Sequence, residues 1–304
     1  MNINRREFIQ EASILTAFTS FFVQDTLAKK SNIKLAYSAI TWGGKDDQAI
    51  KDIASLGFEG IQLRANTFKP FGGKPAELKA LINQANLKLA MFSSGNVEVE
   101  PSKEQSTIDT HVAHASFVKA LGGSAIQMTN SLRKDNIAPT TDQLKRLAEV
   151  MNKIGQQTAD LGVQAVYHNH MNQWGETPEE VDVLVNEMNP KYVRLLLDVA
   201  HYHQGGGKPA EAILKYESHL HSLHLKDTKS PLPEKPDQPN SYKFVELGRG
   251  NVDLIAVFKN LRKIKFDGWA IVELDGVPDK EKTPLLCGET SKKFLIEKVG
   301  MTFE

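Results

Sequence analysis

The chain has 304 residues, 40% of them hydrophobic and 24% charged, a globular balance that excludes disorder throughout and allows one large domain or two small ones. Lys+Arg and Asp+Glu both number 37, so the formal charge is zero and the basic surface demanded by a phosphate backbone is missing. Cys287 is the single cysteine, which excludes an internal disulfide; without a basic neighbour motif it reads as a small packing residue rather than a nucleophile.

Residues 1–28 differ from the rest. "NRREFIQ" carries a twin-arginine head, "ASILTAFTSFFV" is a short apolar run, and "TLA" before Lys29 resembles a small-residue cleavage end. The segment resembles a twin-arginine export signal, which implies an exported, periplasmic protein; an ordinary amphipathic helix is the competing reading. No other stretch is long and apolar enough to span a bilayer, so the mature chain is expected to have no transmembrane span.

From Ile33 onward short apolar runs alternate with helical patterns. "IKLAYSAI" precedes "DDQAIKDIASLG", where Ile50, Ile53, Ala54 and Leu56 share one face before a Gly stop. "EGIQLR" and the helix "PAELKALINQAN" follow, then "LKLAMFS" and a helical stretch from Lys103 to Leu121. "SAIQMT" leads to a helix from Thr141 to Leu161, and "VQAVYHN" to "TPEEVDVLVNEM", which has a Thr cap and Pro178 in its first turn. "YVRLLLD", "PAEAILKYESH", "LHSLHLK", "VDLIAVFKNLRKI", "WAIVELD" and "EKTPLLCGETSKKFLIEKV" complete eight strand–helix units. Eight such units predict a single-domain (β/α)8 TIM barrel over residues 29–304. An open doubly wound sheet would show a Gly-rich phosphate turn after its first strand, and "AITWGGKDD" lacks that spacing. An irregular insertion, 228–245, follows the seventh strand on the face where barrel active sites form; it reads either as a lid or substrate loop or as a solvated excursion.

In a barrel, functional side chains belong at the C-terminal strand ends. The fifth strand ends in His168 and His170, the sixth in Asp198 with His201 and His203 beyond, the seventh in His224, Lys226 and Asp227, and the eighth in Glu273 and Asp275. One such histidine is usually a hydrogen-bonded structural residue, and one such carboxylate is often a cap. Four consecutive polar ends around one cavity are different, because carboxylates gathered there need a cation. Imidazole with carboxylate suits one divalent Mn, Zn, Co or Fe ion better than Ca. His168 and His170 face the same side, as do Glu273 and Asp275, so one of each pair can lie deep while the other stands near the mouth.

"YHNHMNQWGETPEEV", "LLLDVAHYHQGG", "SLHLKD", "ELGRGNVD" and "GWAIVELDG" together resemble the sugar phosphate isomerase/epimerase superfamily of xylose isomerase-like barrels. That superfamily includes inosose dehydratases, ketose 3-epimerases and 3-keto-glycoside lyases, and the resemblance runs from about Ile33 to Val299. It implies one divalent metal held by Asp198, His224 and Glu273 and by a residue of the fifth strand. There the chain departs from the family pattern, since His168 stands where a Glu is usual. His168 is the preferred fourth ligand because the strand fixes its direction; Glu176 reaching back from the following loop is the alternative. The departure weakens a symmetrical two-carboxylate epimerisation and favours the dehydratase and lyase branch.

The chemistry expected is enolate formation beside a carbohydrate ketone, followed by β-elimination or hydration, with isomerisation or epimerisation as the alternative. His170 is the candidate base, His201 or Glu176 the candidate acid, and Lys226 a donor to an oxyanion. Trp42, Phe68 and Trp174 offer apolar faces to a sugar ring if they line the mouth, with burial in the core as the commoner fate of such rings. The expected partner is a small carbohydrate, unphosphorylated on the export reading; nucleic acid is not expected and a homo-oligomer is left open. A three-zinc endonuclease barrel would need a basic groove. A catalytically silent periplasmic sugar-binding barrel would bind ligand without metal.

Overall fold

The structure, a computed structural model, describes residues 32–135, 137–238 and 241–303. The export-signal reading of residues 1–28 lies outside them. Among the described residues no helix is long and apolar enough to cross a membrane.

Eight parallel strands close into a barrel. In chain order the strands and principal helices are β1 (Ile33–Ser38), α1 (Asp46–Ser55), β2 (Gly60–Arg64), α2 (Phe68–Phe71), α3 (Pro75–Gln84), β3 (Lys88–Asn96), α4 (Glu104–Leu121), β4 (Ala125–Thr129) and α5 (Thr141–Asp160). There follow β5 (Gln164–His168), α6 (Pro178–Glu187), β6 (Val193–Asp198), α7 (Val199–Gln204), α8 (Pro209–Lys215) and β7 (Leu220–Leu225). The chain closes with β8 (Asp227–Lys229), β9 (Lys243–Val245), α9 (Leu254–Lys263), β10 (Gly268–Val272) and α10 (Pro284–Phe294). Around the barrel the order is β1, β10, β7, β6, β5, β4, β3, β2, so the predicted TIM barrel is the fold.

Local chemistry sets the helix boundaries. At α5 the Thr140 hydroxyl accepts from the Gln143 N–H while the Gln143 side chain accepts from the Thr140 N–H, a reciprocal capping box. The helix then buries Leu144, Leu147, Met151 and Ile154 against the sheet, each worth roughly 2 kcal/mol. Thr177 and Thr283 cap α6 and α10, each followed by proline in the first turn.

Strand alternation builds the interior. Ala36, Ala90, Met91, Ala125, Val166, Leu196 and Ile271 form an apolar floor inside the barrel. Two residues further along three of these strands stand His168, Asp198 and Glu273, so the same parity that fills the floor turns these side chains into a polar layer above it. The floor is also closed from below: Trp269 packs against this cluster, and a Cβ at Gly60 would meet its ring at 2.8 Å. Only glycine permits that approach.

The expected irregular insertion 228–245 has strand structure at both ends. Its ends pair as an antiparallel ribbon, with Thr228 opposite Phe244. The ribbon is anchored by Asp227, whose buried carboxylate accepts from the backbone N–H groups of Thr228, Gly248, Gly250 and Val252 at 2.9–3.1 Å. The short helix α7 was also not expected. Asp198 caps it, its Oδ1 accepting from Ala200 and His201 N–H, both at 2.9 Å.

Candidate metal centre

Strand register brings the polar ends level. Asp198 on β6 pairs with His224 on β7, His168 on β5 pairs with Leu196, and the Glu273 N–H continues the ladder to the Leu225 carbonyl. One ligand atom from each of His168, Asp198, His224 and Glu273 lies within 4.8 Å of the others, and all four residues are buried. His168 Nε2 is 2.9 Å from His224 Nδ1, each of these nitrogens is 3.5 Å from Asp198 Oδ2, and His224 Nδ1 is 3.3 Å from Glu273 Oε1.

Each ligand is oriented by a neighbour. The α7 N–H groups occupy Asp198 Oδ1, which leaves Oδ2 buried without a hydrogen-bond partner and aimed into the cluster. Gln62 on β2 accepts from His224 Nε2 at 2.8 Å and donates to Glu273 Oε2 and to Gln127 Oε1, both at 3.2 Å. Asn169 donates to the Asp198 carbonyl and accepts from the Asp198 N–H.

Lys226 is fully buried one step nearer the mouth, 2.6 Å from Asp275, 3.3 Å from Glu273 and 4.0 Å from Asp198. Burial opposes its charge, but these three carboxylates overcome that and hold the ammonium above its ordinary range. Its Nζ also donates to His201 Nε2 at 3.2 Å and stands 4.3 Å from the centroid of the Phe244 ring. The His201 proton therefore sits on Nδ1, a buried atom with no partner. His170 stacks on His201 with ring centroids 3.8 Å apart. Its Nδ1 donates to the Met171 carbonyl at 2.6 Å, which leaves the Nε2 lone pair free to accept a proton.

Burial favours the neutral imidazoles: it lowers His168, lowers His201 strongly, and brings His170 down to about 4. Burial alone would raise the carboxyls, yet His224, Lys226 and His168 bring Glu273 down to about 2, and His201 and Lys226 keep Asp198 well below its usual value. At neutral pH His168 and His201 are thus uncharged while Asp198 and Glu273 are ionised, the protonation state in which such groups bind metal. Three carboxylates against one ammonium leave an excess of negative charge that a divalent cation would offset. The orphaned Asp198 Oδ2 and the mixed nitrogen and oxygen donors fit such an ion.

Other expected residues lie elsewhere. Glu176 is paired with Arg133 at 2.8 Å, and Arg133 also forks onto both oxygens of Glu180. Trp42 is buried in the barrel wall, donating to Asp52 at 2.7 Å and packing edge-on against Tyr37, and Phe68 packs against His114 and Phe117. Core packing takes Trp42, so that ring does not line the mouth, while Phe68 is half-buried against the core. Trp174 is half-buried against the core. The aromatic face at Lys226 is Phe244, from the insertion. Sequence reasoning missed Gln62, Gln127, Asn169, Arg133 and Phe244. Strand parity, two residues beyond inward-facing Gly60 and Ala125, was the available signal for the two glutamines.

Comparison with known proteins agrees with this architecture. Residues 50–286 match the family model described as xylose isomerase-like TIM barrel. An inosose dehydratase from Clostridium botulinum (strain Alaska E43 / Type E3) is 27% identical over 303 residues, covering 88% of this chain and 98% of the relative. Two solved structures share the fold. A probable 3-DHS dehydratase, AsbF from Bacillus anthracis, has a TM-score of 0.72 at 16% identity, covering 88% of this chain and 100% of that one. An IOLI protein solved with a binding zinc atom has a TM-score of 0.71 at 19% identity, covering 87% and 97%.

Proposed function

The chain belongs to the xylose isomerase-like TIM barrel family, and from that premise we propose that it is a metal-dependent dehydratase or lyase acting on a keto-sugar or keto-glycoside. The observation that carries the reading is the buried four-ligand cluster with Lys226, His201 and His170 beside it. The inosose dehydratase relative and the dehydratase among the structural neighbours support elimination.

His168, Asp198, His224 and Glu273 would hold one divalent cation, supplying Lewis-acid polarisation of a carbonyl and so acidifying the neighbouring C–H. His170, neutral and with its Nε2 lone pair free, takes the proton from the carbon beside the ketone. The electron pair forms the C=C bond as the C–O bond at the next carbon breaks. His201 gives its Nδ1 proton to the departing oxygen while its Nε2 takes one from the Lys226 ammonium, 3.2 Å away, so the ring stays neutral and water leaves a keto-sugar or an alcohol leaves a keto-glycoside. Until that transfer Lys226, held charged by its carboxylates, stabilises negative charge on oxygen. Glu176 as the acid is disfavoured by its pairing with Arg133.

A sugar isomerase or epimerase would share the proton abstraction and return the proton to carbon. The test is incubation with an inosose and a keto-glycoside in D2O, with divalent metal present. An enone with release of water or alcohol is expected, lost in His170→Gln. Deuterium incorporation without bond cleavage would favour the isomerase reading, and neither outcome with metal-loaded protein would leave a sugar-binding barrel. We also propose export on the strength of the residues 1–28 motif, which predicts that replacing Arg5 and Arg6 with lysine retains the protein in the cytoplasm.

A further inference from the structure

Gln62 is 1% exposed and makes three side-chain hydrogen bonds, two of them to candidate metal ligands on different strands. Its orientation is dictated. The Glu273 carboxylate only accepts, so the NH2 group of the amide must face Glu273, and Gln127 Oε1 accepts from the same nitrogen. The Gln62 carbonyl oxygen is then turned toward His224 Nε2, which must carry the ring proton, and His224 Nδ1 enters the cluster as a bare lone pair. In the opposite tautomer an Nδ1–H would sit 3.3 Å from Glu273 Oε1 and 3.5 Å from Asp198 Oδ2. It would donate to those oxygens and block the position a cation needs.

We propose that Gln62 is the positioning residue of this centre: one amide selects the ligating nitrogen of His224 and, by occupying Glu273 Oε2, commits Glu273 Oε1 to the cluster. The inference rests on the metal-centre reading and goes beyond it by assigning control of the site to a residue that touches neither metal nor substrate. Outer-shell partners of this kind change metal affinity by about 10–100-fold when lost.

The experiment uses the full chain stripped with chelator and titrated with Zn or Mn against a chromophoric competitor. Wild type is compared with Gln62→Met, which keeps volume without the amide, and with Gln62→Asn, one methylene shorter. Ring-15N spectra of the metal-free proteins report the His224 tautomer, which a merely structural role would not move. The expected result is one metal equivalent in wild type, affinity lower by about 10–100-fold in both variants, and a shift of His224 from Nε2–H toward Nδ1–H. Should Gln62→Met fail to fold, Gln62→Asn carries the same comparison, and Gln127→Met, which spares both ligand contacts, is expected to bind like wild type. Wild-type affinity and an unchanged tautomer in a folded Gln62 variant would overturn the inference while leaving the metal centre standing. Failure of wild type itself to take up metal would overturn the metal reading and the inference with it.

Discussion

Asn169 and Asp198 hold each other by two hydrogen bonds between β5 and β6, with Asn169 Nδ2 donating to the Asp198 carbonyl at 3.1 Å and Asn169 Oδ1 accepting from the Asp198 N–H at 2.8 Å. β5 ends at His168, so this side chain replaces the ladder where backbone pairing stops. Asn169→Ala removes both bonds at a fully buried position, and a stability loss of about 1–3 kcal/mol is expected. Urea unfolding measures it. A chelator titration should show weaker metal retention, because the Asp198 backbone is freed; unchanged affinity would limit Asn169 to a structural role.

Substitution of Lys226 should separate metal binding from turnover. Replacing it with methionine removes a cation 3.3 Å from Glu273 and 4.0 Å from Asp198, so the cluster becomes more negative and should hold a divalent ion at least as tightly. Turnover should fall by about 10²–10³ if the ammonium stabilises developing negative charge. Parallel metal analysis and steady-state kinetics check both signs. Metal loss in this variant would mean that Lys226 organises the ligands instead.

Arg133 joins the β4–α5 loop to the β5–α6 loop through Glu176, Glu180 and the Gln173 carbonyl. Glu180 in turn accepts from Gly175 and Glu176 N–H, so one guanidinium supports the loop that follows His170. Arg133→Met leaves a buried carboxylate without its charge partner, at a cost of about 3 kcal/mol. Arg133→Lys should recover only part of that, since one ammonium nitrogen cannot serve Glu176 and Glu180 together as the guanidinium Nε and Nη2 do. Hydrogen exchange should rise across residues 171–176 in both variants, and more in the methionine one.

Acid stability should depend on His111, which is buried between β3 and α4 and bonded to Ser94. Burial lowers its pKa from 6.5 to about 4, partly offset by the Asn96 carbonyl. Between these values the unfolded chain binds a proton that the folded chain refuses, so its contribution is constant above pH 6.5 and is lost as pH falls toward 4. The slope is about 1.4 kcal/mol per pH unit for one group. His114, also lowered chiefly by burial, adds in the same direction. His111→Gln should flatten the fall in urea midpoint across that window; an unchanged profile would assign it to other groups.

The barrel and the strand ends were legible because alternating apolar runs report strands, and ionisable groups two residues past an inward apolar position are rarely accidental. Glu273 and His224 stood out as ionisable groups at strand ends. Gln62 did not, because a neutral amide at a strand end has many uses and its partner His224 is 162 residues away. That contact exists only once the sheet closes. Arg133 was hidden similarly, since Glu180 is 47 residues away. Trp42 could be read either way, as an aromatic after β1 suits a mouth or a core, and Asp52 and Tyr37 draw it into the wall.

The ring of Trp269 in the space left by Gly60 makes the barrel a blind tube. Anything consumed at the His168–Glu273 layer must enter from the end by which its product departs. On the proposed elimination, an unsaturated product that keeps the ketone and most hydroxyls of its precursor should then compete for the same vestibule. Progress curves should therefore bend early, with inhibition by product competitive toward substrate.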